Sequence, residues 1–332
     1  MIALKRDILL TILIDLEEYT FGGVDMKDKN AKNLRKSMNR GSIEHETRAA
    51  EKEGEIMTLA KKDVISIPQT KTIKEAAEMM IENEFRRLPV TDPGSNKLLG
   101  IVTAMDILDF LGGGSKFDII EKKHNDNFLA AINEPVKEIM TKGVISITPK
   151  YSIGESVDLM TEKGIGSLPV LDADGKLVGI VTERDFALAL AGVLMDETVE
   201  DVMIKDVITT TPGTPIESCS KIMVRNNLRR IPVVEEGKLI GIVTSTDILR
   251  FFGDKKMFAS MTSTSGLDVL KQKISEIMQP NISVIEPNIR LGDLCGLLAE
   301  KNIGGAPVVE DDKLVGIITE RDILNTVLAK KE

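Results

Sequence analysis

Apolar and polar positions follow one order four times along this chain. In the first copy, Val64-Ile65-Ser66-Ile67 is a β-branched run stopped by Pro68, which predicts a short strand. Ile73, Ala76, Ala77, Met80 and Ile81 then recur at i, i+3, i+4, i+7 and i+8, one apolar helix face, with Thr72 at the N-cap position. Leu88-Pro89-Val90 predicts a second strand, residues 92–96 a turn, and residues 98–102 a third strand. A helix opening at Thr103 turns Ile107, Leu108 and Leu111 inward. The predicted unit is β-α-β-β-α.

The same landmarks return in register. Gly100-Ile101-Val102-Thr103-Ala104-Met105-Asp106 is repeated as Gly179 to Asp185, Gly241 to Asp247 and Gly316 to Asp322. Pro89, Pro169, Pro232 and Pro307 precede these aspartates by 17, 16, 15 and 15 residues. Self-similarity at a fixed period marks a repeat architecture. Repeats are expected at 56–111, 136–192, 199–253 and 273–329, with linkers at 112–135 and 254–272. Residues 1–55 form an extension, partly helical or disordered, basic over 27–40 and acidic over 44–55. A 55-residue unit buries little surface alone, so pairing is expected, with clefts between partners and an apolar face that each pair offers the other. The copies alternate in kind: Arg86-Arg87 and Arg229-Arg230 precede the second strand in repeats 1 and 3, Gly166-Ser167 and Gly304-Gly305 in repeats 2 and 4.

Composition narrows the chemistry. A net charge of −9 argues against a nucleic-acid surface over the body of the chain. Two cysteines, Cys219 and Cys295, supply neither a disulfide framework nor a four-cysteine metal site, and both fall on the helix face where Ala76 and Ala77 pack. With two histidines besides, no metal centre is expected. The apolar run at 8–14 is far shorter than the roughly 20 residues that span a bilayer, so no membrane segment and a cytoplasmic location are expected.

The Leu-Pro-Val strand, the turn, and Gly-Ile-Val-Thr-x-x-Asp opening a helix resemble the CBS domain, whose tandem pairs form Bateman modules. Four copies, with Arg-Arg before the strand in the odd ones, resemble the archaeal relatives of the γ subunit of AMP-activated protein kinase. The resemblance implies an α/β (α+β) fold of two modules forming a disc, binding AMP, ADP or ATP in clefts around its centre. It assigns ribose binding to Asp106, Asp185, Asp247 and Asp322, with the hydroxyls of Thr103, Thr182, Thr244 and Thr319. It assigns phosphate binding to Arg86, Arg87, Arg229 and Arg230, and adenine packing to Val64, Val144, Val207 and Ile282. It implies a non-catalytic sensor that regulates a protein partner.

The residue types suit that chemistry. A carboxylate accepts from two adjacent ribose hydroxyls, and guanidinium forks fit phosphate oxygens. A second reading stands beside it. Thr-x-x-Asp ahead of an apolar helix is also a capping box, and an Arg pair can be a solvated strand edge. Arg184 and Arg321 are expected on the exposed helix face. The glycines at 112–114 lack P-loop spacing and read as a flexible linker. Two other functions remain open: a ligand-responsive nucleic-acid regulator reading through residues 1–55, and a sensor of S-adenosylmethionine-type ligands.

Overall fold

A computed structural model describes residues 54–191, 195–253 and 267–328. The expectations for residues 1–53 lie outside the described residues. Repeat 1 comprises α1 (Ile56–Leu59), β1 (Ile67–Pro68), α2 (Ile73–Glu82), β2 (Arg87–Thr91), β3 (Leu98–Thr103) and α3 (Ala104–Leu108). Helix α2 starts where Thr72 predicts it: Thr72 N donates to Glu75 Oε2 (2.8 Å) and Glu75 N donates back to Thr72 Oγ1 (3.1 Å). Its buried face is Ile73, Ala76, Ala77 and Met80, as the spacing requires.

After a linker helix, α4 (Phe128–Ala131), repeat 2 contributes α5 (Ile153–Lys163), β4 (Ser167–Leu171), β5 (Leu177–Thr182) and α6 (Glu183–Ala189). Repeat 3 has α7 (Val199–Val202), α8 (Ile216–Arg225), β6 (Arg230–Glu235), β7 (Lys238–Thr244) and α9 (Ser245–Gly253). Repeat 4 has α10 (Leu291–Glu300), β8 (Gly305–Glu310), β9 (Lys313–Thr319) and α11 (Glu320–Ile323).

One expectation needs correction. The first strand of repeat 1 is two residues rather than Val64 to Ile67, and the others shrink to single parallel bridges, Ile147 to Val170, Thr210 to Val233 and Ile285 to Val308. The backbone explains this. Val64 N donates to Lys62 O (3.1 Å) and Val207 N to Lys205 O (3.0 Å), so those amides close tight turns instead of joining a ladder.

Within each module the leading segment of one repeat crosses to its partner. Lys61 and Ile180 exchange backbone hydrogen bonds, as do Thr141 with Ile101, Ile204 with Ile317, and Gln279 with Ile242. Helix α1 therefore packs among repeat 2 residues although its sequence belongs to repeat 1.

Between modules, like repeats share a core. Helix α2 packs on α9, and Ile73, Met80 and Leu108 of repeat 1 join Ile216, Cys219 and Phe252 of repeat 3. Ile153, Val157 and Phe186 of repeat 2 join Leu291, Leu294 and Cys295 of repeat 4 in a second core. Each such side chain contributes about 1.5–3 kcal/mol on burial. The 112–135 linker is not a loose tether. Ile120, Phe128 and Ala131 are buried in the odd-repeat core, and Phe128 meets Phe252 edge-on at 5.9 Å. Both cysteines are core residues, their thiols pushed by burial up to about 12. Among the described residues no helix is long and apolar enough to cross a membrane.

Candidate functional site

Strand register places the candidate residues. In the hairpins, Arg87 lies opposite Thr103 and Arg230 opposite Thr244, while Ser167 and Gly305 lie opposite Thr182 and Thr319. The threonine that opens each final helix is thus fixed beside the position where the repeats alternate.

All four aspartates divide their oxygens the same way. Oδ2 of Asp106 accepts from Thr103 N and Oγ1, both at 2.7 Å. Thr182 N and Oγ1 donate to Asp185 Oδ2 (2.8 and 2.7 Å), Thr244 to Asp247 and Thr319 to Asp322 (2.8 and 2.6 Å each). That is the capping box, and it consumes one oxygen. The other, Oδ1, is where the repeats part. In repeat 1 it accepts from Lys116 Nζ of the linker, and in repeat 3 from Gln279 Nε2 at 2.9 Å. Among the described residues no side chain donates to Oδ1 of Asp185 or Asp322. Capping occupies Oδ2 in all four repeats, so the capping reading of Thr-x-x-Asp does not itself engage Oδ1.

The centre of the molecule holds what sequence reading missed. Glu183 and Glu320, the residues just after the even-repeat threonines, are 2% and 3% exposed. Arg229 NH2 of repeat 3 and Arg321 Nε of repeat 4 donate to Glu183 at 2.5 and 2.6 Å. Glu320 faces Arg184 of repeat 2 at 3.4 Å and Arg86 of repeat 1 at 3.8 Å. Arg184 and Arg321, expected on an outer face, turn inward because these buried carboxylates lie across the module boundary. The only sequence signal was the shared Glu-Arg-Asp of the even repeats against Ala-Met-Asp and Ser-Thr-Asp of the odd ones.

Alternation follows from space. A Cβ on Gly166 would meet Glu183 Oε2 at 3.0 Å and Arg87 NH2 at 3.2 Å. On Gly304 it would lie 2.8–2.9 Å from Glu320, Arg230 and Arg86, and on Gly305 (φ 148°) within 2.5 Å of Arg230. Even repeats carry small residues here because odd-repeat arginines and even-repeat glutamates fill the space.

Burial sets the electrostatics. It pushes the Glu183 carboxyl up, but Arg229 and Arg321, with Arg87 behind them, outweigh it and hold the group down at about 2. Desolvation, with Arg229 nearby, lowers Arg87 to about 10 and Arg230 to about 9. Burial lowers Arg86 too, against the opposing pull of Glu320. These guanidiniums stay charged at neutral pH but poorly solvated, an environment that an anion would relieve.

Three clefts open onto this centre. Cleft A, about 140 Å³, lies between Val64 and Ile65 of repeat 1 and Thr182 of repeat 2, with Arg86, Glu183 and Glu320 in its wall. Cleft B, about 450 Å³, joins Val144 to Thr103 and meets Arg86, Arg87 and Arg229. Cleft C, about 300 Å³, joins Ile282 to Thr244 and Asp247 and meets Arg86, Arg229 and Arg230. Each takes its apolar edge from one repeat and its helix start from the other. None of the three is lined by Asp106, Asp185, Val207, Thr319 or Asp322. Among the described residues there is no cluster of three or more His, Cys, Asp or Glu able to hold a metal ion.

Known proteins share this organisation. Protein MJ1225 of Methanocaldococcus jannaschii is 39% identical over 272 residues, 81% of this chain and 97% of the relative. Its crystal structure, described as that of a candidate archaeal homologue of g-AMPK, matches with a TM-score of 0.77 at 38% identity, over 82% of this chain and 99% of that one. A 33.4 kDa protein of Thermofilum pendens is 30% identical over 258 residues, 78% of this chain and 86% of its own length. A conserved protein of Pyrococcus horikoshii shares the fold, with a TM-score of 0.53 at 22% identity over 82% of this chain and 99% of its own. The CBS domain model matches residues 54–113, 136–192, 199–254 and 274–329, more than half the sequence, and the chain belongs to the CBS domain family.

Proposed function

We propose that this chain is a non-catalytic sensor of adenine nucleotides that regulates a protein partner. One observation carries the reading. Six guanidiniums, those of Arg86, Arg87, Arg184, Arg229, Arg230 and Arg321, converge on two carboxylates, Glu183 and Glu320. An excess of partly buried cations is costly unless anions join it, and phosphates are the anions that guanidinium forks fit best. Clefts B and C lead from an apolar edge, suited to a purine, past a capping threonine, and in cleft C its aspartate Asp247, to those arginines. Base, ribose and phosphate would be met in the order in which a nucleotide presents them.

Signalling follows from the placing of the cations. Arg86 and Arg229 line clefts in both modules and are also held by the opposite module's glutamate. A phosphate that draws on them shifts the balance between module arrangements, which is how a ligand biases a partner-binding surface. The description of MJ1225 as a candidate g-AMPK homologue fits this role.

Calorimetry with AMP, ADP and ATP on the purified chain tests the reading. Heat and a rise in melting temperature are expected, with removal of the Arg229 and Arg230 side chains weakening cleft C. No heat and no thermal shift with any of the three would overturn it.

A further inference from the structure

We infer that cleft C takes a doubly phosphorylated ligand: an adenine nucleotide with a phosphate on the 2′ or 3′ oxygen of its ribose besides its 5′ phosphate. This deepens the proposed function and rests on its placing of base, ribose and 5′ phosphate.

One side chain sets cleft C apart. Arg250 lines it and lines neither cleft A nor cleft B. It stands on α9 three residues beyond Asp247, and the same register position of the other repeats holds Asp109, Leu188 and Asn325. A capping box asks for no cation there. Asp247 does not need one either. Its Oδ2 accepts from Thr244 N and Oγ1, and its Oδ1 from Gln279 Nε2 at 2.9 Å. The Arg250 guanidinium lies 3.9 Å from Oδ1, with its side chain 53% exposed, and makes no hydrogen bond among the described residues. Its donors are unspent.

Spacing orders the groups along the cleft. Arg230 lies opposite Thr244 in the hairpin, at the start of α9. Arg250 comes six residues after Thr244, about 9 Å along a helix that rises about 1.5 Å per residue. Asp247 falls between the two, and it is the one carboxylate in walls that carry Arg86, Arg229, Arg230 and Arg250. The cleft therefore has a cation on each side of its carboxylate. Asp247 Oδ1 keeps a lone pair beside Gln279 for a ribose hydroxyl. A ribose seated there with its 5′ carbon towards Arg230 turns its other hydroxyl edge towards Arg250. A bare hydroxyl on that edge leaves the guanidinium unused, whereas a phosphate meets its fork. Donors from Thr244 and Gln279 already offset the charge of Asp247, so the added phosphate faces a net cation.

The test is calorimetry of the full chain with adenosine 3′,5′-bisphosphate and adenosine 2′,5′-bisphosphate, beside AMP, ATP and ADP, the last being the reference of equal phosphate count. At least one bisphosphate should bind at one site about fivefold or more tighter than ADP. Arg250→Gln should cancel that gain, and Arg230→Gln should weaken ADP and the bisphosphate together. The melting temperature of the Arg250→Gln chain should stay at the wild-type value, because the side chain is half exposed and holds no hydrogen bond. If ADP binds and neither bisphosphate exceeds it, or if the gain survives Arg250→Gln, the cleft C inference falls and the nucleotide reading stands. If a bisphosphate binds through Arg250 while AMP, ADP and ATP give no heat, the reading as a sensor of those three falls and the cleft C inference stands. No heat from any of the five ligands would overturn both.

Discussion

Odd and even repeats share one fold and bring opposite chemistry to the centre. Repeats 1 and 3 deliver arginine pairs at the head of the second strand, and their aspartates are already partnered by Lys116 and Gln279. Repeats 2 and 4 deliver glycine or serine at that place, a buried glutamate at the helix start, and aspartates with an open oxygen. Each feature of one kind is explained by the other. The glycines make room for the arginines, the glutamates bind them, and the pairing crosses between modules. A repeat here is half of a complementary set rather than an independent binding unit.

The largest effect should come from removing one half of that complement. Glu183→Ala leaves the partly buried Arg229 and Arg321 without their carboxylate and should cost about 3 kcal/mol in urea unfolding, the low end for a broken buried pair because both arginines keep some solvent. Glu320→Ala should cost less, because its arginines stand at 3.4 and 3.8 Å. Equal losses would break the asymmetry between the two sites.

Acid should reproduce part of this without mutation. The Glu183 carboxyl titrates near 2 in the folded chain against 4.5 in the unfolded one. A depressed carboxylate stabilises fully above the unfolded value, and that contribution disappears as pH falls from about 4.5 towards 2. The loss should reach about 3 kcal/mol. Glu183→Gln should flatten that limb of the stability curve, and an unchanged limb would place the buried charge elsewhere.

Next in size are the aspartates. Asp185→Ala and Asp247→Ala should each lower stability by about 1 kcal/mol through the lost cap. Where Oδ1 also holds ribose, ligand affinity should fall about ten- to a hundredfold as well. Melting temperature and affinity measured together on both variants separate the two roles. Stability loss with unchanged affinity at both would leave capping as their whole function.

The smallest effect concerns the linker. Lys116→Met frees the outer oxygen of Asp106 and should tighten binding in cleft B by up to about fivefold, the worth of a partly exposed ion pair. Weaker binding would instead make Lys116 a ligand contact.

What was legible in the sequence was local. The 3.6-residue spacing of Ile73, Ala76, Ala77 and Met80, the Thr72 cap and the four Thr-x-x-Asp helix starts are written in consecutive residues, and the structure has them. The alternation of Arg-Arg with Gly-Ser and Gly-Gly was visible too, but its reason was not. Glu183 meets Arg229 across 46 positions and Arg321 across 138, and nothing near Glu183 in sequence announces either. For the same cause Arg184 and Arg321 read as surface residues when viewed within their own helices. The crossing of α1 onto repeat 2 was hidden likewise, since Gly54, Ile56 and Lys61, in and around that helix, donate to the carbonyls of Pro149, Tyr151 and Ile180.

The complement between odd and even repeats is tested most directly by a double-mutant cycle on Glu183 and Arg229, the Ala variants singly and together, in urea unfolding. Contact across the module boundary predicts a coupling of about 2 kcal/mol or more, the double variant being far less destabilised than the sum of the singles. Additive losses, with a coupling of about zero, would contradict it and leave the two residues as separate features of separate repeats.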